Sequence, residues 1–124
     1  MQRQSTIKFR ESLLRDAVAL MEAEYATELQ LDDVARRIAT SRRQLQRSFE
    51  EHHGMSYREC LTRIRMTRAA ELLATTGLTV REVGYRVGYR QPAQFAKAFN
   101  RVHGAPPSRY RAERRTEAPV SLAA

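Results

Sequence analysis

The sequence has one cysteine, no tryptophan and no long apolar segment. The single cysteine, Cys60, excludes a disulfide within the chain, and its neighbours Tyr57, Leu61 and Ile64 favour a buried small hydrophobic side chain over a redox thiol. No run of about eighteen apolar residues is present that could cross a membrane, and residues 1–10 lack the apolar stretch of a signal peptide. The sequence therefore predicts a soluble, cytoplasmic protein without membrane contact.

Residues able to build a catalytic or metal centre are also scarce. The three histidines, His52, His53 and His103, have no partners at metal-ligand spacing, and Cys60 has no nearby base in the sequence. No glycine-rich loop that could cradle a phosphate is present. We therefore expect that the protein is not an enzyme and that it holds neither a metal nor a cofactor.

Glycine and proline are few, with five and four residues. Between them the apolar residues recur at intervals of three and four, which is typical of helices, and no strand-like alternation is found. The pattern predicts an all-α protein. The predicted helices run over residues 11–25, 31–38, 41–53 and 57–75, then from 79, from 92 to near 104, and over 107–115, before a disordered tail at 116–124.

Three segments have the form of a capping box, in which two side chains satisfy free amides at a helix start. They are Ser41-Arg42-Arg43-Gln44, Ser56-Tyr57-Arg58-Glu59 and Thr79-Val80-Arg81-Glu82. Because helix N-termini also bind anions, the helix starts near Ser56, Thr79 and Ser108 are candidates for phosphate contacts. Capping alone explains a serine or threonine at such a position, so both interpretations stay open.

The second half of the chain repeats the first at an offset of 49 residues, which later becomes 50. Leu31, Val34, Ile38, Leu45, Phe49, His53 and Gly54 correspond in order to Val80, Val83, Val87, Phe95, Phe99, His103 and Gly104. Each copy has the pattern of a helix-turn-helix, which predicts two reading units. The expected organisation is a first unit at 1–54, a linker helix at 55–77 and a second unit at 78–115.

Positive charge dominates the chain, with a formal net charge of +8 and a pI near 10.5. Nearly all of it is arginine, since Lys8 and Lys97 are the only lysines. Such a balance favours a polyanionic partner, because neutralising phosphates releases counterions. Double-stranded DNA is the partner that fits both the charge and the repeated pattern.

On a helical wheel of residues 41–53, Leu45, Ser48, Phe49 and His52 lie on one side. Arg43, Gln46, Arg47 and Glu50 lie on the opposite side, with Arg42 and Gln44 flanking them. Arginine can bond bidentately to guanine and glutamine to adenine. We therefore predict that Arg42, Arg43, Gln44, Gln46 and Arg47 contact DNA, with base readout centred on this helix.

The second recognition helix has a different outer face. Its inner positions are Phe95, Ala98, Phe99 and Val102, and its outer positions are Ala93, Ala96, Lys97 and Asn100. The predicted DNA contacts are Arg90, Gln91, Ala93, Gln94, Ala96, Lys97 and Arg101. Alanine can contact a thymine methyl but cannot hydrogen-bond a base, so we expect weaker sequence discrimination here, with Lys97 and Arg101 anchoring phosphates.

Several segments together carry a family resemblance over roughly residues 12–115. In the first half they are Leu31-Asp32-Asp33-Val34-Ala35, Ser41-Arg42-Arg43-Gln44-Leu45-Gln46-Arg47-Ser48-Phe49 and Leu61-Thr62-Arg63-Ile64-Arg65-Met66. In the second half they are Val83-Gly84-Tyr85-Arg86-Val87-Gly88-Tyr89, Gln94-Phe95-Ala96-Lys97-Ala98-Phe99 and Gly104-Ala105-Pro106-Pro107-Ser108-Arg109-Tyr110-Arg111. In this order and spacing the chain resembles the AraC/XylS family of bacterial transcription regulators.

The resemblance implies a seven-helix domain whose long helix joins two helix-turn-helix units that enter successive major-groove segments. It also implies a monomer on an asymmetric site in the bacterial nucleoid, and contact with RNA polymerase to activate transcription. The base-reading positions then fall on Arg43, Gln44, Gln46 and Arg47, and on Pro92, Ala93, Ala96 and Lys97. Many members have polar residues where this chain has Pro92, Ala93 and Ala96.

Other interpretations remain. The charge also fits a nonspecific or architectural nucleic-acid binder, including one for RNA, although Phe49, Tyr85, Phe95 and Phe99 lie at the spacing of a helical core rather than of a stacking platform. An adaptor that acts only through the polymerase would tolerate loss of Arg43 and Arg47. The chain can also be the DNA-binding domain of a larger, effector-controlled regulator.

Overall fold

The computed structural model describes residues 4–117 and forms seven α-helices there, with no β-strand in that range. The helices are α1 (Gln4–Glu24), α2 (Leu31–Arg37), α3 (Arg42–Ser48), α4 (Tyr57–Thr75), α5 (Val80–Arg86), α6 (Pro92–His103) and α7 (Pro107–Glu117). A π-helical turn, Phe49–His53, continues α3. The predicted all-α, seven-helix architecture is confirmed.

Several predicted boundaries differ from the structure. Helix α1 begins at Gln4 rather than near residue 11, because residues 4–10 contain no glycine or proline to stop it. The helix predicted at 41–53 changes to π-helical geometry at Phe49, where the amide of Gly54 bonds to the carbonyl of Phe49, five residues back. Helix α7 includes Thr116 and Glu117, while the rest of the predicted tail, 118–124, lies outside the described residues.

The chain divides into two compact units between Ile64 and Arg65, inside the predicted linker and within α4. In the first unit a buried cluster combines side chains from α1 to α4: Ala17, Met21, Leu29, Val34, Ala35, Leu45, Phe49, Cys60 and Leu61. Arg37 of α2 donates to both carboxylate oxygens of Glu24 at the end of α1. This hydrogen bonding lowers the pKa of Glu24 and ties the two helices together.

The second unit has its own buried residues, among them Met66, Ala69, Leu73, Val83, Val87, Phe95, Phe99 and Ala105. Arg111 of α7 caps the C-terminal end of α4. Its Nε donates to the carbonyl of Leu73 at 3.0 Å and its Nη2 to that of Thr76 at 3.3 Å. A guanidinium is suited to this position because the last carbonyls of a helix lack partners within the helix.

A close approach between α5 and α6 requires glycine at position 84. A Cβ on Gly84 would lie 2.7 Å from Cδ2 and 2.9 Å from Cγ of Phe95, whose ring is buried. The corresponding residues of the first unit are Ala35 and Leu45, which both belong to its buried cluster. The larger side chain on the recognition helix of the second unit is therefore matched by a smaller residue on the preceding helix.

We predict that Gly84→Ala lowers the free energy of unfolding. Because two atoms of the buried Phe95 ring would lie under 3.0 Å from the new Cβ, the clash should cost about 2 to 3 kcal/mol, which outweighs the roughly 1 kcal/mol that alanine gains in a helix. Urea unfolding of Gly84→Ala, Phe95→Leu and the double variant measures the coupling. The double variant, which recreates the Ala35 and Leu45 combination, should be more stable than the sum of the single effects predicts. Strict additivity would contradict the packing explanation.

Candidate nucleic-acid interface

In the first unit, α2, a short turn and α3 form a helix-turn-helix. The amide of Gln30 bonds to Oδ2 of Asp33 at 3.1 Å at the start of α2. Within the turn, Ala39 has a φ of 60°, and the amide of Thr40 bonds to the carbonyl of Ala35 at 2.9 Å. A left-handed alanine is strained, so the flanking helices must hold this turn in place.

Ser41 begins the first recognition helix. Its Oγ accepts the amide of Gln44 at 3.1 Å, which confirms the predicted serine cap. The prediction that Gln44 completes the box is wrong, because its Oε1 accepts the hydroxyl of Thr40 at 2.9 Å instead. Through this bond the turn and the helix start are connected by side chains as well as by the backbone.

The second helix-turn-helix combines α5, its turn and α6. Thr79 and Glu82 form the complete predicted capping box, with both hydrogen bonds at 3.0 Å. The hydrogen bond from the Thr79 amide lowers the pKa of Glu82. Gly88, with a φ of 105°, occupies the position of Ala39, and the amide of Tyr89 bonds to the carbonyl of Gly84 as that of Thr40 does to Ala35.

The change of offset from 49 to 50 residues falls in this second turn. Thr40 is followed directly by the cap Ser41, whereas Arg90 stands between Tyr89 and the cap Gln91. Helix α6 then begins with Pro92 in its first turn, as predicted. The extra residue is thus accommodated between the helices.

The predicted contact residues of the first unit all lie on the surface. Arg42, Arg43, Gln44, Gln46 and Arg47 are exposed, while Leu45, Ser48 and Phe49 between them are buried. The helical wheel therefore separates the two faces correctly. Contact of these five residues with DNA, to bases or to phosphates, stays a prediction.

Acidic side chains lie beside several of these donors. Arg42 Nη1 is 3.4 Å from both carboxylate oxygens of Asp32, and Gln46 Nε2 is 3.5 Å from Oε1 of Glu50. Arg47 Nε is 3.7 Å from Oε1 of Glu51. Within residues 4–117, Arg43 makes no hydrogen bond or ion pair, and the residue is exposed.

The predicted residues of the second unit are brought to one face as well. Arg90, Gln91, Ala93, Gln94, Lys97 and Arg101 are exposed, and Ala96 is half-buried. Across the described chain, no hydrogen bond or ion pair engages Lys97. Because Ala93 and Ala96 lack polar atoms, this face offers fewer groups for hydrogen bonding to bases than α3 does.

The hydroxyls at two predicted phosphate sites serve as caps. Ser56 Oγ accepts the amide of Glu59 at 3.1 Å, and Thr79 Oγ1 accepts that of Glu82. Ser108 is exposed in the first turn of α7. Phosphate contact at these three residues stays a prediction.

The expectation that Tyr85 lies at core spacing with the other aromatic residues is wrong. Its side chain is 74% exposed. Val83 of α5 and Val87, the residue that follows the helix as its C-cap, are both buried, and Tyr85, two residues from each, lies about 200° away around the helix. The other three aromatics of that group, Phe49, Phe95 and Phe99, are buried as expected.

Sequence reasoning missed a contact between α1 and the π-helical turn. Arg10 Nη1 lies 2.5 Å from Oε2 of Glu51, and the two residues are 41 positions apart. No local pattern reveals such a pair. The neighbouring contact of Glu51 with Arg47 was detectable, since the two residues are four positions apart and of opposite charge.

Cys60 is buried, as predicted, and its Sγ lies 3.5 Å from Nε2 of His53. Burial raises the pKa of this thiol, which keeps it protonated at neutral pH. His103, the repeat partner of His53, instead donates from Nε2 to the carbonyl of Met66 at 3.0 Å. The two equivalent histidines therefore have different partners.

The described residues contain neither a metal-ligand cluster nor a membrane-spanning helix. Among residues 4–117, no three His, Cys, Asp or Glu side chains are grouped so that they could hold a metal ion. No helix in that range is both long enough and apolar enough to span a bilayer.

Two helix-turn-helix units, each with a recognition helix whose outer face is exposed, define a DNA-binding protein. A family model described as "Helix-turn-helix domain" matches residues 34–113. The chain belongs to the AraC/XylS family of DNA-binding transcription regulators, which is not a family of enzymes.

Relatives and a solved structure agree with this assignment. The HTH-type transcriptional activator AarP of Providencia stuartii is 32% identical over 84% of this chain and 77% of its own length. The raffinose operon transcriptional regulatory protein RafR of Pediococcus pentosaceus is 34% identical over 77% of this chain. The DNA-binding domain of AdpA, solved in complex with a target DNA, is similar with a TM-score of 0.80 at 31% identity, covering 86% of this chain and 96% of that one. The chain spans about a third of the length of the operon regulators that it matches.

We predict that Ser41→Ala destabilises the protein by about 1 kcal/mol, because the amide of Gln44 loses its acceptor at the start of the first recognition helix. Ser41→Asp should stay close to the wild type, since aspartate is an equally good cap. Thermal unfolding of both variants provides the measurement, and Ser5→Ala, at an exposed position of α1, is the matched control. Equal stability of Ser41→Ala and the wild type would contradict the capping role.

Proposed function

We propose that this protein activates transcription by binding, as a monomer, two successive major-groove segments of DNA, and that it reads sequence mainly through α3. The observation that carries the proposal is the outer face of α3, where five exposed polar residues surround a buried apolar seam. Arginine and glutamine are the side chains that recognise guanine and adenine in the major groove. Their position at the start of a capped second helix is the one that enters the groove.

The second unit is proposed to contribute more affinity than sequence discrimination. By the offset of 50 residues, Arg43 corresponds to Ala93, Gln46 to Ala96 and Arg47 to Lys97. Two polar base readers are thus replaced by alanine. A lysine is a point charge suited to phosphate, whereas arginine offers a planar fork to guanine.

Nonspecific or architectural binding is the alternative. Proteins that bind single strands without sequence preference stack bases on exposed aromatic side chains. In the described residues, Tyr85 is the only aromatic side chain of the repeated units that is largely exposed, and Phe49, Phe95 and Phe99 are buried. These observations favour readout of a duplex.

Activation requires a contact with the transcription machinery, and we propose RNA polymerase as that partner. The candidate surface is a cleft of about 430 Å³ in the second unit, lined in part by Arg81, Tyr85, Arg86 and Tyr89. Arg90 and Pro92, which are predicted to face DNA, also line this cleft, so the proposed contact is centred on Tyr85. Tyrosine and arginine are the residues enriched at energetically important positions of protein interfaces. The basic lining favours an acidic surface of the polymerase.

Two substitutions separate base readout from phosphate anchoring. Arg43→Ala should remove about 1 to 3 kcal/mol of discrimination at one base pair. Lys97→Ala should weaken binding to all sequences alike and flatten the salt dependence by about one unit of slope. Selection from a randomised duplex library, followed by binding assays over a salt series, measures both effects. An unchanged preferred site for Arg43→Ala would contradict the assignment, and no preferred site for the wild type would favour the nonspecific binder.

The polymerase contact is tested at Tyr85. Tyr85→Ser should lower activated transcription by purified polymerase about fivefold, as expected for an interface anchor, while affinity for the selected duplex stays unchanged. Phe9→Ser is the matched control, because Phe9 is 51% exposed on α1 and lies outside the cleft. Equal losses of DNA affinity and transcription, or no loss of either, would contradict a polymerase contact through Tyr85.

A further inference from the structure

Glu51 connects helix α1 to a candidate base reader. Its Oε2 accepts from Nη1 of Arg10 at 2.5 Å, and its Oε1 lies 3.7 Å from Nε of Arg47. The side chain of Arg10 is 14% exposed, that of Glu51 34% and that of Arg47 51%. The three residues therefore form a row that runs from a nearly buried cation to a solvent-facing one.

Arg10 fixes the position of the Glu51 carboxylate independently of Arg47. Arg10 is held on a helix that packs into the core of the first unit, and a charge-assisted hydrogen bond to a nearly buried partner orients Glu51. The carboxylate thereby presents its second oxygen to Arg47 at a defined place. An exposed arginine without such a partner would lose more side-chain entropy when it is ordered on DNA.

The contact engages Arg47 through Nε and not through its terminal nitrogens. Among the described residues, Nη1 and Nη2 of Arg47 have no other partner. These two nitrogens can donate together to O6 and N7 of a guanine. Glu51 thus restrains the stem of the side chain and leaves its recognition end available.

We propose that Glu51, oriented by Arg10, is a positioning residue that holds Arg47 for base readout. The inference rests on the proposed function, since it concerns how α3 reads DNA. The negative charge of Glu51 has a second effect in this proposal. A carboxylate beside the groove repels phosphates wherever Arg47 does not find its base, and so opposes nonspecific binding.

The second unit provides an internal comparison. At the position of Glu51 it has Arg101, and at that of Arg47 it has Lys97. Both side chains are exposed and cationic, which suits phosphate contacts and gives no carboxylate to orient a reader. The positioning carboxylate therefore occurs in the unit that carries the arginine and glutamine readers.

The test uses the full chain, its selected duplex, duplexes with single base-pair changes, and an unrelated duplex of equal length. Glu51→Gln keeps the shape of the side chain and removes its charge. We expect discrimination at the base pair read by Arg47 to fall about two- to fivefold, as befits a partly exposed ion pair, while affinity for the unrelated duplex rises. Arg10→Met should reduce discrimination at the same base pair.

Two controls isolate positioning from net charge. Glu71→Gln makes the same change of charge in an exposed pair with Arg68 on α4, with Nη1 and Oε2 at 2.8 Å, and should leave discrimination unchanged. In an Arg47→Ala background, Glu51→Gln should cause no further loss at that base pair.

The outcomes separate this inference from the function on which it rests. If Arg47→Ala leaves base preference intact, the proposed readout by Arg47 is wrong, and the inference fails with it. If Arg47→Ala changes base preference but Glu51→Gln acts only as Glu71→Gln does, positioning by Glu51 is overturned alone. A uniform gain of affinity on all duplexes for Glu51→Gln would likewise reduce its role to net charge.

Discussion

In both units the recognition helix packs closely against the helix before it, and this packing holds the helix-turn-helix together. In the second unit the ring of Phe95 lies so close to the backbone of α5 that only Gly84 fits. The first unit meets the same requirement with Ala35 and Leu45 in its buried cluster. The turn geometry, the caps and the orientation of the outer faces all depend on close packing between these two helices, because protein interiors pack at high density and tolerate little change of volume.

The sequence predicted much of this architecture, for identifiable reasons. Helix periodicity separated Leu45 and Phe49 from Arg43 and Arg47, and local hydrogen-bonding chemistry predicted the caps at Ser41 and Thr79. What the sequence did not predict depends on distant contacts or on competition between neighbours. Arg10 meets Glu51 across 41 positions, and Thr40 takes the Gln44 oxygen that a capping box would have used. Tyr85 was misplaced because an aromatic residue near buried valines was assigned to the core without regard to its angle on α5.

In the free protein, carboxylates lie beside some of the side chains that are predicted to contact DNA. Asp32 lies beside Arg42 and Glu50 beside Gln46 on the first recognition helix, so these two donors exchange a carboxylate for DNA on binding. The positive charge of the chain, formally +8, is therefore more available to DNA at some residues than at others. Arg43 and Lys97 exchange only water and mobile ions, while Arg42 must also separate from the carboxylate of Asp32.

The one-residue insertion at Arg90 determines how the two halves of this protein can be recombined. The repeat holds its register up to Thr40 and Tyr89 and recovers it at the caps Ser41 and Gln91, with the additional residue confined between those points. A recognition helix grafted from one half into the other keeps its faces only if the splice is made at the cap. A splice counted by a constant offset would rotate the grafted helix by about 100° and turn its reading face toward the interior.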